Sequence, residues 1–320
     1  TVLTGIPNYP QGDFYEGYGY QKKREEVYEG ITIKRIPIIP RKKNSLMMGL
    51  NYLSFVISGE LWKLFNKEKF DLVFIYEVSP MTQALPAVKI ARKLKIPCYI
   101  YVMDLWPENF EIITGITNPL VITPLNKMVD YIYKNCSKIF TASRSFKQNI
   151  EDRGIEPQKI YFWPQYAEEF YRITDVKSPK LIDDEKINIT FAGNIGTAQG
   201  LEILPIVGKK IKENQLNVRF NIVGNGRYRQ DLIQELEKAG LQEWFHFVDP
   251  VPATEIPEIL AGSDFSFVSL QKNDIFSMTI PAKLQSSMAC GKPILLSANG
   301  EVAEIVQHAN CGFVGKAGDS

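Results

Sequence analysis

Short apolar runs alternate along most of the chain with longer stretches whose apolar residues recur at helical spacing. In the first half, DLVFIYE (71–77), PCYIYVMD (97–104) and SKIFTAS (137–143) predict strands. Between the first two, Ala84, Ala87, Val88, Ala91 and Leu94 share one helical face, and FVISGELWKLF supplies a helix ahead of Asp71. The second half repeats the scheme with INITFAG (187–193), VRFNIVG (218–224), FHFVDPV (245–251), FSFVSL (265–270), KPILLS (292–297) and CGFVG (311–315). Strands alternating with helices predict βαβ units and parallel sheets covered on both faces. A polar stretch, YFWPQYAEEFYRITDVKSPKLIDDEK, carries breakers at Pro164 and Pro179 and separates the two halves. The expected organisation is α/β, with two doubly wound domains over 1–170 and 186–320 joined by a linker at 171–185, and ligands bound outside the carboxyl ends of the strands.

Composition narrows the partners. The 320 residues can bury two cores, and 37 basic against 36 acidic residues leave a net charge of +1. That balance lacks the basic excess of a nucleic-acid binder, so no nucleic-acid partner is expected. Cys98, Cys136, Cys290 and Cys311 are widely spaced without a CxxC pair, which reads as small hydrophobes in a reducing compartment. Two histidines, His246 and His308, are too few for a histidine-based metal site. No run approaches the roughly 20 apolar residues of a membrane span. The opening TVLTGIPNYP reads as the tail of a strand and the closing CGFVGKAGDS as another strand, so a fragment lacking an N-terminal strand–helix unit and closing helices is expected.

Three glycine-marked turns carry the candidate chemistry. FAGNIGTAQG (191–200) ends a strand in a Gly-x-x-Gly turn ahead of Leu201, Leu204, Val207 and Ile211. Free N–H groups there suit a pyrophosphate, and glycine lets the backbone approach it; a tight turn with Thr197 as a helix cap is the plainer alternative. IVGNGRYRQDL (222–232) again ends a strand in glycine, and Arg227 either balances phosphate charge or is a solvated turn residue. In FSMTIPAKLQSSMACGKPILLS (276–297), Thr279, Ile280 and Lys283 stand at a helix start that could meet an anion, while Pro281 equally marks an ordinary first turn. In a parallel sheet all three turns fall at one edge.

The order FAGNIGTAQGLE, IVGNGRYRQDL, VDPVPATEIPEILAGSD, IPAKLQSSMACGKPI and CGFV resembles the C-terminal domain of family 4 glycosyltransferases of the GT-B fold. TVLTGIPNYPQGDFYEGYG and YVMDLWPEN resemble the N-terminal domain of the branch containing fucosamine-type amino-sugar transferases of O-antigen and capsule assembly. The resemblance implies two Rossmann-like domains facing across a cleft and a retaining transferase using a nucleotide diphosphate sugar, with UDP expected and no metal. It places the diphosphate at Gly193, Asn194 and Gly196, the base at the backbone of Val251, and donor-binding amides at Thr279 and Ile280. Met278 and Ser286 stand where the family pattern has paired glutamates, Asn194 and Gln199 where it has Arg and Lys, and Met103 where it has a histidine. A diphosphate needs charge compensation, since a buried uncompensated charge costs several kcal/mol. Lys283 and Arg227, with Arg144 of the first domain behind them, are the available cations.

On the acceptor side, Asp104 at a strand end and Glu108 one turn later could orient or deprotonate a hydroxyl; a cap on the WPEN turn is the alternative for Asp104. Glu77 at the end of DLVFIYE has the same topological claim. RKKNSLMMGLNYLSFVISGELWKLF (41–65) sets a basic trio ahead of a strongly apolar helix, readable as a buried domain helix or as a peripheral membrane contact. The resemblance implies a lipid-linked saccharide acceptor and a cytoplasmic enzyme at the membrane's cytoplasmic face. Expected alternatives are a nucleotide-sugar epimerase of similar architecture and a non-catalytic nucleotide- or sugar-binding protein. A dinucleotide-dependent oxidoreductase is disfavoured, because neither glycine turn has Gly-x-Gly-x-x-Gly spacing.

Overall fold

A computed structural model describes residues 1–9, 11–42 and 44–320, apart from the side chain of Ser45. It divides into two compact units: Thr1–Thr141 with Lys147–Phe162, and Ala142–Phe146 with Trp163–Ser320.

Unit 1 begins with a three-stranded sheet ordered β1-β3-β2, from β1 (Val2–Gly5), β2 (Glu25–Tyr28) and β3 (Ile31–Ile36). β1 runs parallel to β3, and β2 pairs with β3 as an antiparallel hairpin. Glu29 and Gly30 both take positive φ at its tip, the twist-matched two-residue turn. This hairpin is absent from the sequence reading, because charged residues dilute the alternation over 25–34. After α1 (Ser45–Phe65), a parallel sheet ordered β4-β5-β6-β7 follows, from β4 (Val73–Glu77), β5 (Cys98–Val102), β6 (Lys138–Thr141) and β7 (Ile160–Phe162). Its connections are α2 (Ala84–Leu94), α3 (Glu108–Thr114), α4 (Pro119–Asn135) and α5 (Arg144–Asp152), whose first residues cluster with unit 2. The predicted helix over 84–94 ends where Lys95 turns left-handed.

Unit 2 is a single six-stranded parallel sheet ordered β10-β9-β8-β11-β12-β13. Its strands are β8 (Ile187–Ala192), β9 (Val218–Val223), β10 (Phe245–Val248), β11 (Phe265–Ser269), β12 (Ile294–Ser297) and β13 (Gly312–Gly315). The helices α6 (Leu204–Glu213), α7 (Arg229–Lys238), α8 (Ile256–Ala261), α9 (Asp274–Ser277), α10 (Ala282–Ala289) and α11 (Glu301–His308) connect them. One layer of the core packs Phe191, Ile195, Leu201, Leu204, Ile222 and Leu232, all essentially inaccessible, and each contributes about 1.5–3 kcal/mol. The chain leaves β8 toward β9 and β10, then returns to the other side of β8 for β11, β12 and β13. The reversal puts a topological switch point between β8 and β11, where such sheets open a crevice.

Residues 171–185, read above as the linker, are held on unit 2. Leu181 packs with Val223, Val248 and Ile259, and Asp184 takes a bidentate ion pair from Arg219 at 2.8 and 2.7 Å.

The start of α5 is fixed to the same unit by Glu301. Its carboxylate accepts from the Ser143 hydroxyl (2.7 Å), the Arg144 N–H (2.9 Å), and both the N–H (2.7 Å) and hydroxyl (2.8 Å) of Ser145. Burial opposes the charge, but these donors outweigh it and hold the carboxyl below its ordinary value. Glu301→Gln should therefore cost roughly 1–3 kcal/mol at pH 7. Because the folded-state value is depressed, that contribution is complete above about pH 4.5 and fades as the pH falls further. Urea unfolding of both forms at pH 7 and below pH 4 checks this; a gap that persists undiminished in acid would contradict it.

Candidate active site

The turn following β8 lies at the switch point. Gly193 takes φ +145°, and it and Asn194 are exposed while Ile195 is buried beneath them. Among the described residues no acceptor takes the N–H of Asn194 or Gly196, whereas those of Gly193 and Ile195 are tied to Val223 and Asn225. The helix head expected directly after this turn is displaced. Two single 3-10 turns, Thr197–Gln199 and Leu201–Ile203, precede α6, and Thr197 caps neither.

The second glycine turn explains its own composition. A Cβ on Gly224 would lie 2.0 Å from the Gly193 carbonyl oxygen, and one on Gly226 2.1 Å from that of Ile195. These glycines let two turns pack backbone to backbone. Arg227, next in the chain, is exposed and makes no ion pair among the described residues, whereas Arg229 pairs with Asp249.

Lys283, in the first turn of α10, reaches across to the first of these turns. Its Nζ lies 3.7 Å from the centroid of the Phe191 ring and donates to Gln199 Oε1 at 2.5 Å. A Cβ on Gly193 would come within 3.5 Å of it. The side chain keeps some exposed surface, yet its ammonium is enclosed and no carboxylate among the described residues pairs with it. Desolvation alone pulls its pKa down to about 7. The loop after β11 closes the other side of the crevice, through Gln271 N–H to the Ala198 carbonyl (3.0 Å) and Ser269 hydroxyl to that of Gln199 (2.6 Å).

Unit 1 presents acids at the corresponding edge of its four-stranded sheet. Glu77 is fully buried, and neither carboxylate oxygen has a hydrogen-bond partner among the described residues. Burial, then the charge of Asp104, push its carboxyl well above the ordinary range. The N–H groups of Asp104 and Met103, not aligned as donors to either oxygen, pull it back only in part. Asp104 is half-buried; burial raises its carboxyl, and the nearby Ser79 and Asn109 side chains offset that only in part. Glu108 is committed elsewhere, accepting from Arg153 at 3.1 Å and Asn149 at 3.2 Å.

Comparison with known proteins matches residues 14–165 to Glycosyltransferase Family 4 and residues 172–320 to Glycosyl transferases group 1. The chain belongs to the family 4 glycosyltransferases. It is 24% identical over 311 residues to the putative colanic acid biosynthesis glycosyl transferase WcaI of Escherichia coli, covering 93% of this chain and 74% of that one. It is 22% identical to the alpha-monoglucosyldiacylglycerol synthase of Streptococcus pneumoniae, covering 85% of this chain and 61% of that one. In structure it resembles Anabaena HepE, solved with UDP-glucose, with a TM-score of 0.65 at 13% identity over 91% of this chain and 74% of that one. The expected GT-B fold is thereby shown.

In the transferase, Gly193, Asn194, Gly196, Gln199 and Lys283 form one constellation, with the Gly224–Gly226 turn and Arg227 beside it. Other expected positions contribute differently. Val251 packs against the cluster of Leu181, Val223, Val248 and Ile259. The Ile280 side chain is core. The Thr279 N–H is bonded to the Phe276 carbonyl and its hydroxyl to that of Ile275, while no acceptor among the described residues takes the Ile280 N–H. The Ser286 hydroxyl is buried and turned back on the carbonyls of Ala282 and Lys283. Arg144, expected with the first domain, clusters with unit 2. Sequence reasoning missed Ser79, whose Oγ accepts from Trp106 Nε1 at 2.8 Å, and Arg153, which joins Glu108 to Asp130 and Asn126. Arg153 lies 45 residues from Glu108, and no local pattern signals such a pairing.

Glu77 yields a signed test. A carboxyl raised in the folded state contributes stability that is lost as pH climbs above about 4.5 toward its folded value. Glu77→Gln keeps the neutral shape, so it should equal the native chain in mild acid and exceed it in stability at pH 8. Thermal unfolding across pH 5–8 reads this; a Gln variant less stable by the same margin at every pH would contradict it.

Proposed function

We propose that this transferase moves a hexose or N-acetylamino sugar, with retention, from a UDP-sugar to a lipid-linked saccharide in the synthesis of a bacterial surface polysaccharide, on the cytoplasmic side of the membrane. The observation that carries the donor half is Lys283 poised over the Gly193 turn at the switch point of unit 2. A diphosphate seated there would take the N–H groups of Asn194 and Gly196 and the Lys283 ammonium, with the exposed Arg227 adding charge from the next turn. The site thus supplies cations and amides in place of the Arg and Lys of the common family pattern, and no resident metal is assigned. HepE, solved with UDP-glucose, supports UDP as the nucleotide. WcaI, by its colanic acid role, supports a polysaccharide product.

On unit 1, Asp104 is the carboxylate assigned to orient the acceptor hydroxyl. It keeps an accessible surface, with the polar side chains of Ser79 and Asn109 near it. Glu108 serves as the ion-pair partner of Arg153, and Glu77 stands behind Asp104 as a neutral acid.

Thermal unfolding of the full chain with UDP, GDP, ADP and dTDP tests the donor assignment. UDP at about 100 times its dissociation constant should add about 2.7 kcal/mol, and Lys283→Ala should abolish most of that gain. Stabilisation by another nucleotide alone would overturn UDP; no stabilisation by any would overturn the donor site.

A further inference from the structure

Helix α1 is apolar on both sides, with Met47, Met48, Phe55, Val56 and Trp62 half-buried on the inner one. A surface helix normally turns its apolar stripe to the core and its polar residues to water. In α1 the asparagine and serines are instead spent on the chain over 37–39. The Asn51 amide donates to the Ile39 carbonyl (2.6 Å), Ser58 to that of Pro37 (2.5 Å), and the Ser54 hydroxyl accepts from Ile39 N–H (2.9 Å). Gly59 sits so close to Pro86 of α2 that a Cβ would come within 2.6 Å of its ring. The outward face carries Leu46, Leu50, Leu53, Ile57, Leu61, Leu64 and Phe65, all between 36% and 79% exposed. From Leu46 to Leu64 each follows the last by three or four residues, with Phe65 adjoining, a stripe along the whole length of about 30 Å. Gly49 is the one other exposed residue of the helix among those described, so no charge interrupts the stripe.

Charge identifies what lies against it. From 41 to 69 the chain holds six Lys and Arg against two Glu. Arg41 and Lys42 precede the helix, Lys42 beside Asp13; Lys63 in its last turn pairs with Glu60; Lys67 and Lys69 follow it exposed, and Lys43 lies outside the described residues. A second copy would bring like charge to like at both ends of the stripe, whereas an anionic headgroup layer meets cations at both ends.

We propose that the outward face of α1 docks the enzyme on an anionic lipid bilayer, with the leucine stripe in the acyl boundary and the flanking basic residues among the headgroups. The helix lies in the plane of the surface: among the described residues none is long and apolar enough to cross a membrane. The face belongs to unit 1 and shares no residue with the donor site, so vesicle binding and UDP binding can each fail without the other.

Flotation of the full chain tests this with vesicles of phosphatidylcholine alone and with about one-third phosphatidylglycerol. The native chain should float with the anionic vesicles and remain largely unbound with the neutral ones. Leu53→Gln with Ile57→Gln and Leu61→Gln should lower binding by about tenfold or more. These positions are exposed, so the melting temperature and the UDP response should stay unchanged. Lys67→Glu with Lys69→Glu should weaken binding to anionic vesicles only. Failure of the native chain to float with either vesicle overturns the proposal. So does vesicle binding unaffected by the triple variant, or a stable dimer in sedimentation that the triple variant dissolves while vesicle binding is absent.

Discussion

A lysine ammonium held beside a glycine turn, with no carboxylate among the described residues to neutralise it, is the constraint on which the proposed donor site depends. Gly193 holds a φ of +145°, which side-chain-bearing residues rarely adopt, and Gly224 and Gly226 lack the Cβ atoms that would push the neighbouring turn away. The sheet supplies the rest. Because β8 and β11 lie at the reversal of strand order, the turns after them meet at one crevice, bonded through the Gln271 N–H and the Ala198 carbonyl, and Lys283 enters from α10, which follows the second of them. Among the described residues a neutral amide and an aromatic face meet the ammonium, an arrangement that costs stability in the absence of an anion. The proposed donor diphosphate would supply that anion.

Unit 1 shows the opposite economy of charge. Arg153 pairs with Glu108 and Asp130 and ties the turn after β5 to α4 and α5, while Glu77 has no cation among the described residues and Asp104 keeps access to water. The same unit turns a leucine face outward along α1 while its serines and asparagine hold the chain over 37–39. An apolar stripe outward on α1 and a fully buried carboxyl without a hydrogen-bond partner both depart from the rules that stabilise a simple globular domain. Departures of that kind mark places where function overrides stability.

How far the fold was legible follows from the same physics. The parallel strands of unit 2 announce themselves as near-continuous apolar runs, because both faces of the sheet are covered. The β2–β3 hairpin escaped because Glu25, Glu26, Lys34 and Arg35 break the apolar alternation on a half-exposed sheet. In the site, the glycines were readable as turns, but the reason for Gly224 and Gly226 is another backbone 30 residues away, which spacing does not express. Lys283 was readable as a cation at a helix start; that it faces Gly193 depends on packing. Glu108 and Ser286 looked available in sequence and are engaged in the structure by a distant arginine and by their own helix.

The central claim is that Lys283 is incompletely charged in the free enzyme and gains its full charge from the donor diphosphate. Titration calorimetry of UDP into the full chain at pH 8, in two buffers of different ionisation enthalpy, tests it most directly. With the lysine at about 7 in the free protein, binding should draw about one proton from the buffer. The two heats should then differ accordingly, and the difference should vanish in Lys283→Met. UDP binding with equal heats in both buffers would contradict the account, since Lys283 would then be no part of the response to the diphosphate.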